Sequence, residues 1–238
     1  TNLLERRAAN MALSELDTIL DRGVSLGPLY TGKYVGINDS LQCVAVYACI
    51  RILAETIASL PLPVYQRLLG GGKRRDPSHR LYKILHDQPN PEMTAFELRE
   101  MQVGHLNLWG NSYLEIEYDE RFIDVLALWP LRPDRMEIKR SEQGQLYYEY
   151  LLPNGQKKRF GWINIHHTHG LSSNGIVGYS PISQAKEAVA LAMAAEEYGA
   201  RFFGNDSTPG GVLQHPGKLS DVARKNLKES WEAAHRSL

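Results

Sequence analysis

From Leu41 to Leu60, apolar side chains recur at Val46, Ile50, Leu53, Ile57 and Leu60, the spacing of one helix face, with Ser40 placed to cap the start and Pro61 to end it. A second helix opens at Thr94 in "TAFE", where a capping box pairs Thr94 with Glu97, and runs to about Trp109 before Gly110 stops it. A third starts at Ser180 with Pro181 in its first turn and carries "ISQAKEAVALAMAAEEYGARFF". Along it Ala185, Ala188, Ala192 and Ala195 leave room for close neighbours, while Ile182, Val189, Leu191 and Phe202 supply larger contacts. Small residues on several faces imply crowding by other helices, of the same subunit or of others. Near the start, "LLERRAANMALSELDTILDRG" has helical charge spacing but a thin apolar face, which suits a helix docking on another surface.

Between these helices the period changes to two. "LPVYQRLLGGGKRRD" predicts a strand entering a turn, "HRLYKILHDQPNPEM" a short helix closed by its prolines, "SYLEIEYD" a half-exposed strand and "RFIDVLALWPL" a more buried one. From Pro130 to Gly170 the signals are β throughout: "RMEIKR", "QLYYEYLL", a turn at Pro153-Asn154-Gly155, then "KKRFGWINIHH". The pattern predicts an α+β protein with a small β module set between helices.

At 238 residues and 43% hydrophobic, the chain can bury one sizeable core or two small ones, and its composition is neither disordered nor fibrous. Lys+Arg and Asp+Glu balance at 27 each, so no global basic field advertises a dedicated nucleic-acid binder. Any such contact must be local. Arg132, Arg135, Lys139, Arg140, Lys157, Lys158 and Arg159 gather in the β module against Asp134, Glu137, Glu142 and Glu149, and are the candidate DNA- or partner-facing residues. One copy of that excess would hold DNA weakly, whereas a ring of copies would multiply it. Cys43 and Cys49 fall on different faces of one helix, at a spacing that fits neither a disulfide nor a metal pair, and reduced thiols fit synthesis in a cytoplasm. There is no signal peptide, and no apolar run approaches the ~20 residues needed to span a bilayer, so a membrane is not an expected partner. The chain starts at Thr1 and stops within a helical pattern, as a piece of something longer would.

Two stretches approach a phosphate-binding loop and fail. In "GPLYTGKY" Tyr34 follows Gly32-Lys33 where a small hydroxyl would have to reach magnesium, and in "LLGGGKRRDPSHR" Arg74 follows Lys73. His166, His167 and His169 in "IHHTHG" offer two imidazoles on one strand face, but no further ligands at a matching spacing complete a metal set, and packed, hydrogen-bonded histidines are the preferred reading. Glu115 and Glu117 alternate on the outward side of a strand, Glu196-Glu197 sit on a helix, and no Gly-x-Ser-x-Gly occurs. No catalytic residue, metal or cofactor is assigned.

Four blocks in order, "LQCVAVYACIRILAETIASLPLPVYQR", "LYKILHDQPNPEMTAFELREMQVGHLNLWGNSYLEI", "GLSSNGIVGYSPISQAKEAVALAMAAEEYGARFF" and "STPGGVL", resemble the portal protein family of tailed double-stranded-DNA bacteriophages. The similarity covers nearly everything from Ser40 to Trp231. It implies a ring, generally of twelve subunits, at one capsid vertex, through which the genome is packaged and ejected, and a division into wing, stem, clip and crown. On that pattern 1–39 is an N-terminal helix and arm, 40–129 the wing, 130–170 a clip-like β module, and 171–238 the stem helix and a return to the wing, ending before the crown. The implied partners are double-stranded DNA held without sequence preference, the terminase large subunit as motor, the major capsid or scaffolding protein, and the head-tail adaptor. The implied place is the virion, after synthesis in the bacterial host cytoplasm. Glu187, Glu196 and Glu197, against Lys186 and Arg201, would give a stem that repels the duplex rather than grips it. A metal-dependent nuclease or peptidase built on "IHHTHG", and a smaller adaptor ring, are the competing readings.

Overall fold

The computed structural model describes residues 36–204 and 217–235. The N-terminal helical pattern and the "GPLYTGKY" stretch lie outside the described residues. The chain divides into a unit ending at Ala190 and a second one from Leu191 onward.

Helix α1 (Ile37–Ser40) precedes α2 (Val44–Ala58). Ser40 does not cap α2 as its position predicted. Its hydroxyl turns back and donates to the Ile37 carbonyl at 2.6 Å, Ser40 is fully buried, and Cys43 stands at the N-cap of α2 instead. The packed side of α2 also differs from expectation. Cys43, Ala54 and Ala58 are buried, while Val44, Tyr47, Ile52, Leu53, Ile57 and Leu60 are exposed, Leu53 at 49% and Ile57 at 45%. The small residues let α3 (Ala95–Trp109) lie close against α2; of the predicted stripe Leu53, Ile57 and Leu60 face out, while Val46 and Ile50 are half-buried. Arg99 on α3 fastens the pair: Nε and Nη2 donate to the Ala58 carbonyl at 3.2 and 3.0 Å and Nη1 to that of Leu85 at 3.1 Å. A cation there also meets the negative end of the α2 dipole.

Between these helices the predicted strand and turn form a two-stranded hairpin, β1 (Tyr65–Arg67) and β2 (Lys73–Arg75), and the short helix is a single π turn over Lys83–Asp87. Asn90 then ties the following loop to the sheet, donating to the Leu128 carbonyl at 2.7 Å and accepting from the amides of Glu92 and Met93. The Thr94 capping box is present, with the Thr94 amide donating to Glu97 Oε2 at 2.6 Å and the Glu97 amide to Thr94 Oγ1 at 3.3 Å. Gly110 ends α3 in the left-handed region (φ 75°), and any β-carbon there would overlap the Tyr179 carbonyl.

The β-rich stretch divides between two antiparallel sheets. β3 (Asn111–Tyr118) is central in one, between β4 (Val125–Leu131) and β8 (Ile165–His169), while β5 (Met136–Arg140), β6 (Leu146–Leu151) and β7 (Lys157–Gly161) form the other. β8 thus leaves its sequence neighbours and pairs with β3, His167 opposite Tyr113. Having strands on both sides and α3 against it, β3 is buried at every position from Asn111 to Leu114, so the half-exposed alternation read in "SYLEIEYD" holds only for its outer half. Tyr113, Leu131, Met136, Tyr148, Tyr150, Phe160 and Ile165 from the two sheets make one core cluster.

Ser180 caps the next helix, accepting from the Ser183 amide at 3.1 Å and donating to the Leu108 carbonyl at 2.6 Å. That helix is short: α4 (Pro181–Gln184) gives way at Ala185 (φ −99°) to α5 (Lys186–Gly204), so the one long helix expected from Ser180 is two. In the second unit, the end of α5 exposes Leu191, Tyr198, Phe202 and Phe203, and α6 (Asp221–His235) follows. Among the described residues no helix is long and apolar enough to cross a membrane.

Candidate interaction surfaces

In the β5–β6–β7 sheet, alternation places Met136, Ile138, Tyr148, Tyr150 and Phe160 on the core side and Glu137, Lys139, Tyr147, Glu149, Lys157 and Arg159 on the other. The outer residues form an ion network. Lys139 lies 2.7 Å from Glu137 and 2.6 Å from Glu149; Lys157 reaches the same two carboxylates at 3.3 and 3.7 Å; Arg159 is 3.2 Å from Glu149 and lies over the Tyr147 ring at 4.5 Å. The side chain of Glu149, only 12% exposed, is the hub. Its hydrogen bond from Lys139, foremost, holds it below the usual carboxylate range, and the same bond from Lys139 does so for Glu137. Lys158, on the opposite face, pairs with Glu115 of β3 at 2.8 Å and links the two sheets. Arg132 is held by Asp134 at 2.6 Å, and Arg140 donates to the Gly144 carbonyl at 2.9 Å.

The seven cations of the β module are therefore brought together, but not as a free positive field. Arg132, Lys139, Lys157, Lys158 and Arg159 each meet a carboxylate; among the described residues Arg135 and Arg140 do not. Exposed pairs of this kind contribute little stability and mainly cancel charge locally. Of the acidic candidates, Glu187 lies near the start of α5 in the first unit, and Glu196 and Glu197 lie in the second. Glu197 pairs with Arg201 one turn on.

His167 and His169 share a face of β8, with ring centroids 5.6 Å apart, and among the described residues no group of three or more His, Cys, Asp or Glu is arranged to hold a metal. His167 instead stacks on Tyr113 at 4.4 Å and faces Asn111 Oδ1 through Nε2 at 3.1 Å. Because that oxygen only accepts, Nε2 carries the proton and Nδ1 faces the Tyr148 hydroxyl at 3.5 Å. Burial, foremost, and the neighbouring His169 and His166 push His167 down to about 4; burial does the same to His105 on α3. Asn111 is the centre of this node. Its Nδ2 donates to the carbonyls of Trp109 (3.1 Å) and Gly178 (3.0 Å), and its Oδ1 accepts from the Gly178 amide (2.8 Å) as well as from His167. One side chain thus joins β3, β8 and the loop leading to α4.

Two further surfaces have no counterpart in the sequence expectations: the bare aliphatic stripe of α2, and the β1–β2 hairpin, where no residue is buried. The hairpin's charge is legible in "QRLLGGGKRRD", which sequence alone leaves as a strand and turn with no assigned contact. Asn111 carried no signal, since a lone Asn at a helix exit looks like a turn residue.

Salt-linked sheet faces and uncovered apolar helix sides are thus the main features of the described surface. Residues 44–238 match the family model of the phage portal protein, and the chain belongs to that family. It is 32% identical over 217 residues to the probable portal protein of Streptomyces phage phiC31, covering 86% of this chain and 46% of that protein, and 29% identical over 219 residues to the portal protein of Enterobacteria phage HK97, covering 89% and 51%. The chain spans about half the length of these curated relatives. Its fold is that of an HK97-family phage portal protein from Corynebacterium diphtheriae (TM-score 0.56, 16% identity, 86% of this chain and 63% of that one) and of a chain in the neck of a native gene transfer agent particle computed with C12 symmetry (TM-score 0.57, 21% identity, 84% and 55%).

Proposed function

We propose that this chain is a structural portal subunit, copies of which close into a ring-shaped channel at one capsid vertex for DNA packaging, ejection and head-tail joining. Family membership across residues 44–238 carries the reading. The uncovered side chains of α2 support it, because five large apolar residues on one helix, with Leu60 just beyond its end, are more than an isolated soluble protein normally leaves in water. In a ring each subunit presents one such face to a different face of the next, and closure covers both.

Within the subunit, 40–129 acts as wing, 130–170 as clip and 171–238 as stem and return, with 1–39 an N-terminal arm. The interleaved charges of β5, β6 and β7 suit the clip's protein partners, the terminase large subunit during filling and the head-tail adaptor afterwards. Capsid or scaffolding protein meets the wing. Glu187, Glu196 and Glu197 of α5 keep the stem from gripping the duplex. The ring breaks no bond: the terminase supplies the energy, and the portal resides in the virion after synthesis in the host cytoplasm.

Native mass measurement and electron microscopy of the purified protein test this. The expected result is a closed ring with a central hole in projection, with twelve subunits the family expectation. Leu53→Glu with Ile57→Glu, at positions already half exposed, leaves the circular dichroism melt unchanged and disperses the ring. A dispersed wild type, a ring indifferent to those changes, or turnover of a substrate by the protein refutes the reading.

A further inference from the structure

The stretch from Tyr65 to Asp87 contains six Lys or Arg residues and two Asp, a larger net excess of cations than the seven against four of the β module. In the folded hairpin Tyr65 pairs with Arg75, Gln66 with Arg74 and Arg67 with Lys73. Directly opposed residues share a face and alternate residues return to it, so Tyr65, Arg67, Lys73 and Arg75 lie on one side and Gln66 and Arg74 on the other. All six are exposed. Among the described residues, none of the four cations has a carboxylate within ion-pair distance, unlike the cations of the β5–β7 sheet. Their contacts are uncharged or aromatic: Lys73 over the Tyr65 ring at 4.7 Å, Arg75 over Tyr82 at 5.3 Å and beside His86 Nε2 at 2.7 Å, Arg74 with Gln66 Oε1 at 3.4 Å. Asp76 is engaged by the amide and hydroxyl of Ser78, Asp87 by His86, and Arg80 is already paired with Asp124.

We propose that the Arg67, Lys73 and Arg75 face of the β1–β2 hairpin binds the phosphate backbone of nucleic acid, and that it, rather than the β5–β7 sheet, is this chain's electrostatic contact with DNA. An acidic protein surface would also be attracted, but stable protein interfaces keep an apolar centre poor in charge. The cationic face of the hairpin has no aliphatic residue; Leu68 and Leu69 stand in the turn beyond it. A two-stranded ribbon is also narrow enough to enter or ride a duplex groove. Contacts from Arg67, Lys73 and Arg75 to phosphate oxygens carry no base information, so the binding is independent of sequence, and three exposed cations make it readily broken by salt. The choice of DNA as ligand rests on the portal reading above; the location of the contact rests on the charge pairing alone.

The test is fluorescence anisotropy of a short mixed-sequence duplex with the whole chain, titrated at several salt concentrations. Each phosphate contact contributes about 0.9 to the slope of log affinity against log salt, so three contribute about 2.7, and between about 50 and about 200 mM salt the wild type loses about 40-fold more affinity than Arg67→Ala, Lys73→Ala, Arg75→Ala. Lys139→Ala, Lys157→Ala, Arg159→Ala leaves that slope unchanged. Loss of slope in the sheet variant and not in the hairpin variant, or absence of duplex binding by the wild type, overturns the proposal. So does displacement of the duplex by polyglutamate at equal charge, which assigns the hairpin to an acidic protein. Ring closure is read separately by mass, so a ring that ignores the duplex refutes this site and leaves the portal reading standing.

Discussion

Replacing Asn111 by Ala removes four hydrogen bonds at one buried point. Asn111 is 6% exposed, and the Gly178 backbone it serves is buried as well. After truncation the Gly178 amide and carbonyl lose the partners now at 2.8 and 3.0 Å, and the Trp109 carbonyl and His167 Nε2 lose theirs at 3.1 Å each. A buried polar group left unpaired costs about 1 to 3 kcal/mol, so the two Gly178 groups alone suggest about 2 to 6, and water entering the vacated space brings the expected loss to about 3 kcal/mol. For a chain of this length that lowers the melting temperature by about 6 to 12 °C. Thermal and urea unfolding followed by circular dichroism measures it. Asn111→Asp separates the halves of the node: it keeps the acceptor for Gly178 and His167 but turns an oxygen toward two carbonyls, and it too loses stability at neutral pH. An alanine variant within about 0.5 kcal/mol of wild type, the range of an ordinary surface change, refutes the claim that this side chain joins β3, β8 and the α4 loop.

Acid should weaken the fold through the same region. His105 and His167 are held down to about 4 by burial against an ordinary value of about 6.5, so the unfolded chain binds protons first; their stabilising effect is complete above about pH 6.5 and is lost as the pH falls toward 4. Each adds about 1.4 kcal/mol per pH unit to the slope within that window, and His167→Gln, compared with wild type in urea titrations at stepped pH, removes about half of the combined slope. At the outer face of the β module, Glu149→Gln releases Arg159 and loosens Lys139 and Lys157, so duplex affinity at low salt rises severalfold; unchanged anisotropy would show that Glu149 does not mask those cations.

The elements legible from sequence are those whose determinants are local. Thr94, Glu97 and Gly110 specify the bounds of α3 through bonds within a few residues, Ser180 and Pro181 do the same for α4, and Pro153-Asn154-Gly155 marks the β6–β7 turn, where Gly155 has φ 81° and the Leu152 and Gln156 backbones bond across. The order of the four blocks likewise sufficed for the family. Which surface each element turns inward depended on what arrived from elsewhere in the chain. Periodicity along α2 reports that a face is apolar, not that anything covers it; α3 took the small-residue side, where backbones approach closely. β8 was read with its neighbours, yet β3 offered an unpaired edge about fifty residues earlier, and strand pairing is decided by available edges rather than by sequence distance. Charge behaved in the same way. The composition of a segment states how many cations it holds, whereas pairing across strands decided that the β module's are mostly neutralised and the hairpin's are not, because an ion pair depends on separations of a few ångströms that only the folded backbone sets.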